Sequence, residues 1–218
     1  MKKRIAFISE HASPLATLGG IDNGGQNVYV AELSTELARK GYLVDVYTRK
    51  DNENINEIVN WQPGVRVINI KAGPEIFVEK EKLLCHMNEF SQNMLRFIKT
   101  RNIHYSIIHA NFFMSALVAS CIKKELHVPY VVTFHALGLV RLAHQKQMDK
   151  FPVERFDIEK MKALLTDKNF AVRLGEQGKK IAHERFNIQR FTKEWQETFE
   201  QVINQKNQTH EKTNSIYQ

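Results

Sequence analysis

Two groups of residues in this 218-residue chain have types and spacing suited to chemistry. The first is the stretch 19–27, GGIDNGGQN, in which Asp22 and Asn23 stand between two glycine pairs. Such spacing reads as backbone at positive φ that lets another body approach with no side chain in the way. A helix opening on this loop turns unpaired N–H groups and the positive end of its dipole outward, which is a seat for phosphate. The second is His135, just past a short apolar run at 130–133, where an imidazole can bond a ligand or hold a proton near neutral pH.

The elements that must position these residues are legible in outline. Residues 5–9 read as a buried strand, 28–40 as an amphipathic helix with apolar Val28, Val30, Leu33, Leu37 and Ala38, and Gly41 as its stop. Residues 43–47 make the second strand, so the opening is a strand, glycine loop, helix and strand with a ligand crevice at the carboxyl end of the first strand. A polar loop over 51–60 precedes a third strand at 65–70, and a long helix is expected over 79–101. A fourth strand at 105–109, an apolar helix at 113–124 and a fifth strand at 130–133 follow. Strands alternating with helices imply an α/β fold, a Rossmann-like parallel sheet covered by helices on both faces. His135 then falls at the same sheet edge as the glycine loop. Beyond it, residues 137–148 and 153–160 have helical spacing, 161–203 are wholly helical in pattern, and 204–218 form a polar tail.

Composition sets the bounds. With 43% hydrophobic and 10% aromatic residues the chain can build a globular core, and 31 basic against 24 acidic side chains give +7, which favours an anionic partner or a well-solvated surface. Cys85 and Cys121 lie in apolar helical patterns with no partner at metal-ligand or disulfide spacing, so no metal site is expected and a reducing, cytoplasmic setting fits. The basic start and short apolar run at 5–8 are too short for a signal peptide or a membrane span. GGIDNGGQ is not GxGxxG, and Tyr47, Thr48 and Arg49 stand where a dinucleotide fold needs an acid, so a nicotinamide-dependent oxidoreductase is disfavoured. No aromatic platform or helix-turn-helix spacing supports nucleic-acid binding.

Six stretches in order, from HASPLA and GGIDNGGQNVYVAELSTELARKGYLVDVYTR through KAGP, KEKLLCHMNEF and IIHANFFMSA to VVTFHALG, resemble the N-terminal domain of retaining glycosyltransferases of the GT-B fold. Within glycosyltransferase family 4 they look like the branch of sucrose-phosphate synthases and inositol-phosphate glycosyltransferases. The resemblance implies transfer of a hexose from a nucleotide sugar to a phosphorylated or hydroxylated small acceptor, with retention and with no metal or other cofactor. Gly24, Gly25, Gln26 and Asn27 match the loop that touches the donor diphosphate, and with Asp22 and Asn23 line the acceptor pocket. His135 matches the catalytic-site histidine beside the donor sugar, and His11 a ligand-lining histidine after the first strand. Lys80 and Arg155 match basic residues that grip an acceptor phosphate in the inositol-phosphate branch. Phe112 and Ala136 stand where that branch has a tyrosine and a threonine, so the loss of two hydroxyls points to altered discrimination.

The likeness implies a first domain over 1–160 and crossing helices over 161–203 that resemble the far end of the same family. The second, donor-binding domain expected between them has no counterpart in the sequence. Glu176 and Glu184 reproduce the eight-residue spacing of that domain's glutamate motif, but in a polar helical setting that argues for coincidence. Two readings follow: a transferase impaired without a donor domain, completed by a separate domain or a full-length homologue, and a non-catalytic remnant that holds a sugar phosphate or docks on a relative.

Overall fold

The computed structural model describes residues 2–16, 24–138, 140, 142 and 150–164. The chain divides into two compact units, Met1–Lys162 and Ala163–Gln218, and the architecture below is that of the first. The sequence readings at Asp22 and Asn23, at most of 137–148, and from 165 to the end fall outside the described residues.

Six strands form one mixed sheet: β1 Arg4–Ile8, β2 Leu43–Arg49, β3 Ile58–Gln62, β4 Val65–Ile70, β5 Ile107–Asn111 and β6 Tyr130–Thr133. Their order is β3-β4-β2-β1-β5-β6. All neighbours run parallel except β3, which lies antiparallel on β4 at the edge. The strand β3 occupies what reads as polar loop. Pro63 followed by Gly64, whose φ is +83°, is the pairing that a tight turn with positive φ at its third position demands. It folds Ile58, Val59 and Trp61 back onto β4. A Cβ on Gly64 would come within 3.2 Å of the Ala38 side chain.

Helices cover both faces. On one, α1 Gly25–Arg39 lies over Ile5, Phe7, Val44, Val46, Val65 and Val67. On the other, α2 Met87–Thr100 and α3 Phe113–Leu126 pack on Ala6, Ile8, Tyr47, Ile68, Ile108 and Ala110. Residues alternate between the two cores along each strand, as the pleat requires. A fourth helix, α4, spans Glu154–Leu164.

Element ends differ from the periodicity in instructive ways. Helix α1 begins at Gly25, three residues before its apolar pattern, so the second glycine pair is its cap and first turn. Neither Gly24 nor Gly25 has a positive φ, which corrects the expected reason for their presence. Their Cβ directions open on space with nothing within 4 Å. Of the expected apolar face only Val28 turns out, 42% exposed; Val30 is buried, Leu33, Leu37 and Ala38 pack against the core, and buried Asn27 and Ser34 complete the inward face. The helix ends as expected, with Gly41 at φ +92° and the bonds Gly41 N to Ala38 O and Tyr42 N to Leu37 O, at 2.9 and 3.1 Å, closing a Schellman motif. The helix expected from residue 79 is two short 3-10 turns, Lys80–Lys82 and Leu84–His86, before α2 starts at Met87. Both cysteines are exposed and free, Cys121 on α3 and Cys85 in the second turn rather than in a helix. No described helix is long and apolar enough to cross a membrane.

At the amino ends of the strands a buried network ties the sheet together. Asp45 takes bonds from Arg4 (2.9 Å), Arg66 (2.8 Å) and Tyr105 (2.7 Å). Burial alone would raise its pKa, but the bonds from Arg66 and Tyr105 outweigh it and hold the carboxyl below its usual range.

Candidate functional site

The carboxyl ends of β1, β5 and β6 and the start of α1 meet at one rim. Parallel strands direct their following loops to the same edge, and adjacent strands β1 and β5 diverge there because their crossover helices go to opposite faces. The residues that follow the strands are Ser9, Glu10 and His11 after β1, Phe112 after β5, and Phe134 and His135 after β6.

Asn111, the last residue of β5 and fully buried, joins these parts. Its Nδ2 donates to the carbonyls of Ile8 and His109, both at 3.3 Å, which fixes the orientation of the amide. Its Oδ1 therefore faces His135 Nε2 at 3.1 Å as acceptor. It follows that Nε2 of His135 carries the proton and Nδ1 presents a lone pair. From the helix side, Gln26 Nε2 donates to Ser9 Oγ at 3.1 Å and to the Asn111 carbonyl at 3.3 Å. Tyr29, one turn further along α1, sets its ring edge-to-face on His135 with centroids 5.0 Å apart. Helix α1 and His135 thus share one residue, Asn111, as their common footing.

The first turn of α1 is held from below. Asn27, 3% exposed, accepts the Gly24 N–H at 3.0 Å through Oδ1 and donates to the Ser13 carbonyl at 2.9 Å through Nδ2. The amides of Gly25 and Gln26 have no intrahelical acceptor by helix geometry.

Three histidines sit in this rim with different electrostatics. His135 is lowered from the ordinary imidazole range, first by loss of hydration and then by repulsion from His11, with Glu10 opposing. His109, bonded to Thr133 Oγ1 at 2.8 Å, is lowered to about 4 by burial and then by His135. His11 donates Nδ1–H to the Glu10 carboxylate at 2.8 Å, and that carboxylate, fully buried, also accepts from the Ser115 hydroxyl. At neutral pH the rim therefore holds neutral imidazoles at 109 and 135.

A recess of about 140 Å³ lies beside His11, lined among others by Glu10, Ser13, Thr48, Arg49 and Lys80. Lys80 Nζ stands 3.8 Å from Glu81. Arg155 is not part of this lining. It is fully buried, paired with Glu159 at 2.7 Å, and covered by the rings of Phe112, Phe113 and Phe151 at 4.7 to 5.2 Å. Among the described residues no cluster of three His, Cys, Asp or Glu side chains is arranged to hold a metal.

Of the residues singled out from sequence, Gly24, Gly25, Gln26, Asn27, His11 and His135 come together at the rim, and Lys80 lies across the recess from His11. Arg155 goes into the core. Asn111, Tyr29, Glu10 and Ser115 are site neighbours that the sequence reading passes over. A polar Asn ending an apolar strand and an exposed Tyr at the head of the helix are the only signals they leave.

The open-rimmed α/β sheet with a helix cap at the first crossover is an α/β architecture matching that of GT-B glycosyltransferases. The model of the family described as Glycosyltransferase Family 4 matches residues 23–173, and the chain belongs to that family. It is 38% identical over 149 residues to D-inositol 3-phosphate glycosyltransferase of Corynebacterium diphtheriae, covering 68% of this chain and 35% of that one. It is 37% identical over 158 residues to mannosylfructose-phosphate synthase of Agrobacterium fabrum, covering 71% and 34%. Among solved structures, sucrose-phosphate synthase from Thermosynechococcus elongatus superposes with a TM-score of 0.68 at 31% identity, over 76% of this chain and 41% of the other. The chain spans about a third of the length of the curated relatives it matches.

Proposed function

We propose that this chain provides the acceptor-side half of a hexosyltransferase that moves a sugar from a nucleotide donor to a small phosphorylated or hydroxylated acceptor with retention. The observation that carries the reading is the shared footing of Gln26 and His135 on Asn111. It ties the head of α1 to the imidazole, so an anion on the Gly25 and Gln26 amides would lie beside His135. Departure of a nucleoside diphosphate builds negative charge on the leaving oxygens, and preorganised amides at a helix start stabilise that charge without reorganising and without a metal. A neutral His135 suits the donor sugar, since an imidazolium there would compete for the diphosphate. The recess between His11 and Lys80 is the place for the acceptor, with Lys80 as the counter-charge for a phosphate. This is chemistry that draws on cytoplasmic nucleotide sugars, and the two exposed free cysteines fit a reducing compartment.

Proximity of donor and acceptor supplies on the order of 7–11 kcal/mol of a barrier in favourable cases. An acceptor-side half without an opposing wall forgoes much of that, so turnover is slow unless a donor domain, separate or from a full-length homologue, closes on the rim. One alternative is a module that holds a sugar phosphate without turnover, for which the recess lined by His11 and Lys80 would be the seat.

Calorimetry with nucleoside diphosphate sugars and sugar phosphates, followed by an assay of nucleoside diphosphate release, separates the two. The transferase reading expects release that falls about 100-fold or more in His135→Ala, the size of a lost transition-state contact. Sugar-phosphate binding with no release in any pairing, including with an added donor domain, leaves the binding module.

A further inference from the structure

Arg155 and Glu159 stand one turn apart on α4, and both are buried, Arg155 completely. An ion pair withdrawn from water holds together only when further hydrogen bonds satisfy its remaining donors and acceptors. Here two of these bonds go to the backbone of one short segment. Arg155 donates through its second terminal nitrogen to the Ala136 carbonyl at 2.8 Å, and Glu159 Oε2 accepts the Gly138 N–H at 2.9 Å. The two side chains close on each other through Arg155 Nε and Glu159 Oε1 at 2.7 Å.

The segment so clamped begins one residue after His135. His135 has φ +57°, a left-handed conformation that a side-chain-bearing residue keeps only where its surroundings over-determine it. It centres a three-residue turn in which Ala136 N–H bonds the Phe134 carbonyl at 2.6 Å. The same guanidinium lies over the ring of Phe112 at 5.0 Å. Phe112 follows Asn111, the acceptor of the His135 proton, and its own φ is +86° with ψ 166°, a region that is nearly glycine's alone. One buried cation therefore braces both strained residues on either side of the Asn111–His135 contact.

We infer that Arg155 and Glu159 are positioning residues for His135: through Ala136 and Gly138 they hold the turn that sets the imidazole on Asn111. In this role Arg155 acts from the core, through its bonds to Glu159 and to the Ala136 carbonyl. The positional claim stands by itself; only its turnover readout rests on the transferase reading.

The test uses the full chain with Arg155→Met and Glu159→Leu together, which removes both charges and leaves no unpaired ion in the core. In the folded double variant, Gly138 amide exchange should accelerate roughly tenfold or more, as for an amide that has lost its buried acceptor. The His135 titration followed by NMR should rise toward the ordinary imidazole range, while that of His109, held by Thr133, stays. Unchanged Gly138 exchange and an unchanged His135 titration would overturn the inference. If the double variant does not fold, Glu159→Gln, which offers one carbonyl oxygen to two donors, must move both readouts in the same direction, and no movement overturns it equally. Where nucleoside diphosphate release is measurable, the variants should lower kcat with KM for the acceptor unchanged. A raised KM with kcat intact would make Arg155 an anion-binding group instead. Absence of release in the parent protein would sink the transferase reading alone and leave the NMR result to decide this one.

Discussion

Asn111 shows how much one side chain can decide. Its amide has two carbonyls to donate to and one imidazole to accept from, so a change of a single atom alters the chemistry at His135. In Asn111→Asp a carboxylate faces Nε2, and the His135 titration should move upward, because a nearby negative charge favours the imidazolium. An NMR titration of the two proteins checks this, with an unshifted His135 counting against the contact. Phe112 poses a contest of magnitudes. Replacing it by glycine relieves backbone strain of about 1–3 kcal/mol but empties a buried aromatic site, typically about 3–5 kcal/mol. The packing loss wins, so Phe112→Gly should destabilise by a net ~1–3 kcal/mol. Phe113→Gly, equally buried but with helical backbone, should cost more in urea unfolding, since no strain is released. His135 was conspicuous from its place after a strand. The bend that aims it was not, because nothing in VVTFHALG announces a positive φ at a histidine.

At the level of elements, the strand and helix cores follow the period-two and period-3.6 patterns closely, and their ends do not. The head of α1 is decided by Asn27, which bonds both Gly24 and Ser13 and so seats the first turn against the loop after β1. Asn27→Ala removes both bonds, leaving the Ser13 carbonyl with only the Ala16 N–H, at a cost of about 0.5–1.5 kcal/mol for each bond lost. The measurable signs are a lower unfolding midpoint and faster exchange of the Gly24 amide, and neither would change if the helix start were held by its own propensity. The strand β3 went unread because Asn, Asp and Glu dominate 51–57, while the Pro63–Gly64 turn signal that defines it lies after the strand. The segment before α2 carries helical spacing yet folds as 3-10 turns. Periodicity of a few residues cannot distinguish the two, since i and i+3 share a face in both.

Over the whole molecule, the titrating groups at the two ends of the sheet give stability a two-step dependence on acid. An unfolded histidine binds its proton from about pH 6.5 downward, whereas His109 in the folded chain does so only near 4. The unfolded state therefore binds more protons in that window, and stability is full above about 6.5 and lost as pH falls toward 4, by on the order of 2 kcal/mol after allowing for partial exposure. His135, lowered in the same direction, adds to the step. Asp45, with its folded pKa depressed, contributes stability that is present above the usual carboxylate range and lost only as pH falls below it. Urea midpoints across pH 8 to 3 should show both steps, and His109→Gln should flatten the first while sparing the second; a single step near pH 4 in the parent would contradict the assignment for His109. Local patterning and turn chemistry were enough to determine an α/β alternation, the crevice at the glycine-capped crossover and the family likeness, because each is written within a few residues of itself. Which polar groups meet was decided only by the tertiary structure. Gln26 and Asn111, or Gly138 and Glu159, are brought together by strand order and by burial, and neither spacing nor composition encodes a contact between residues so far apart in the chain.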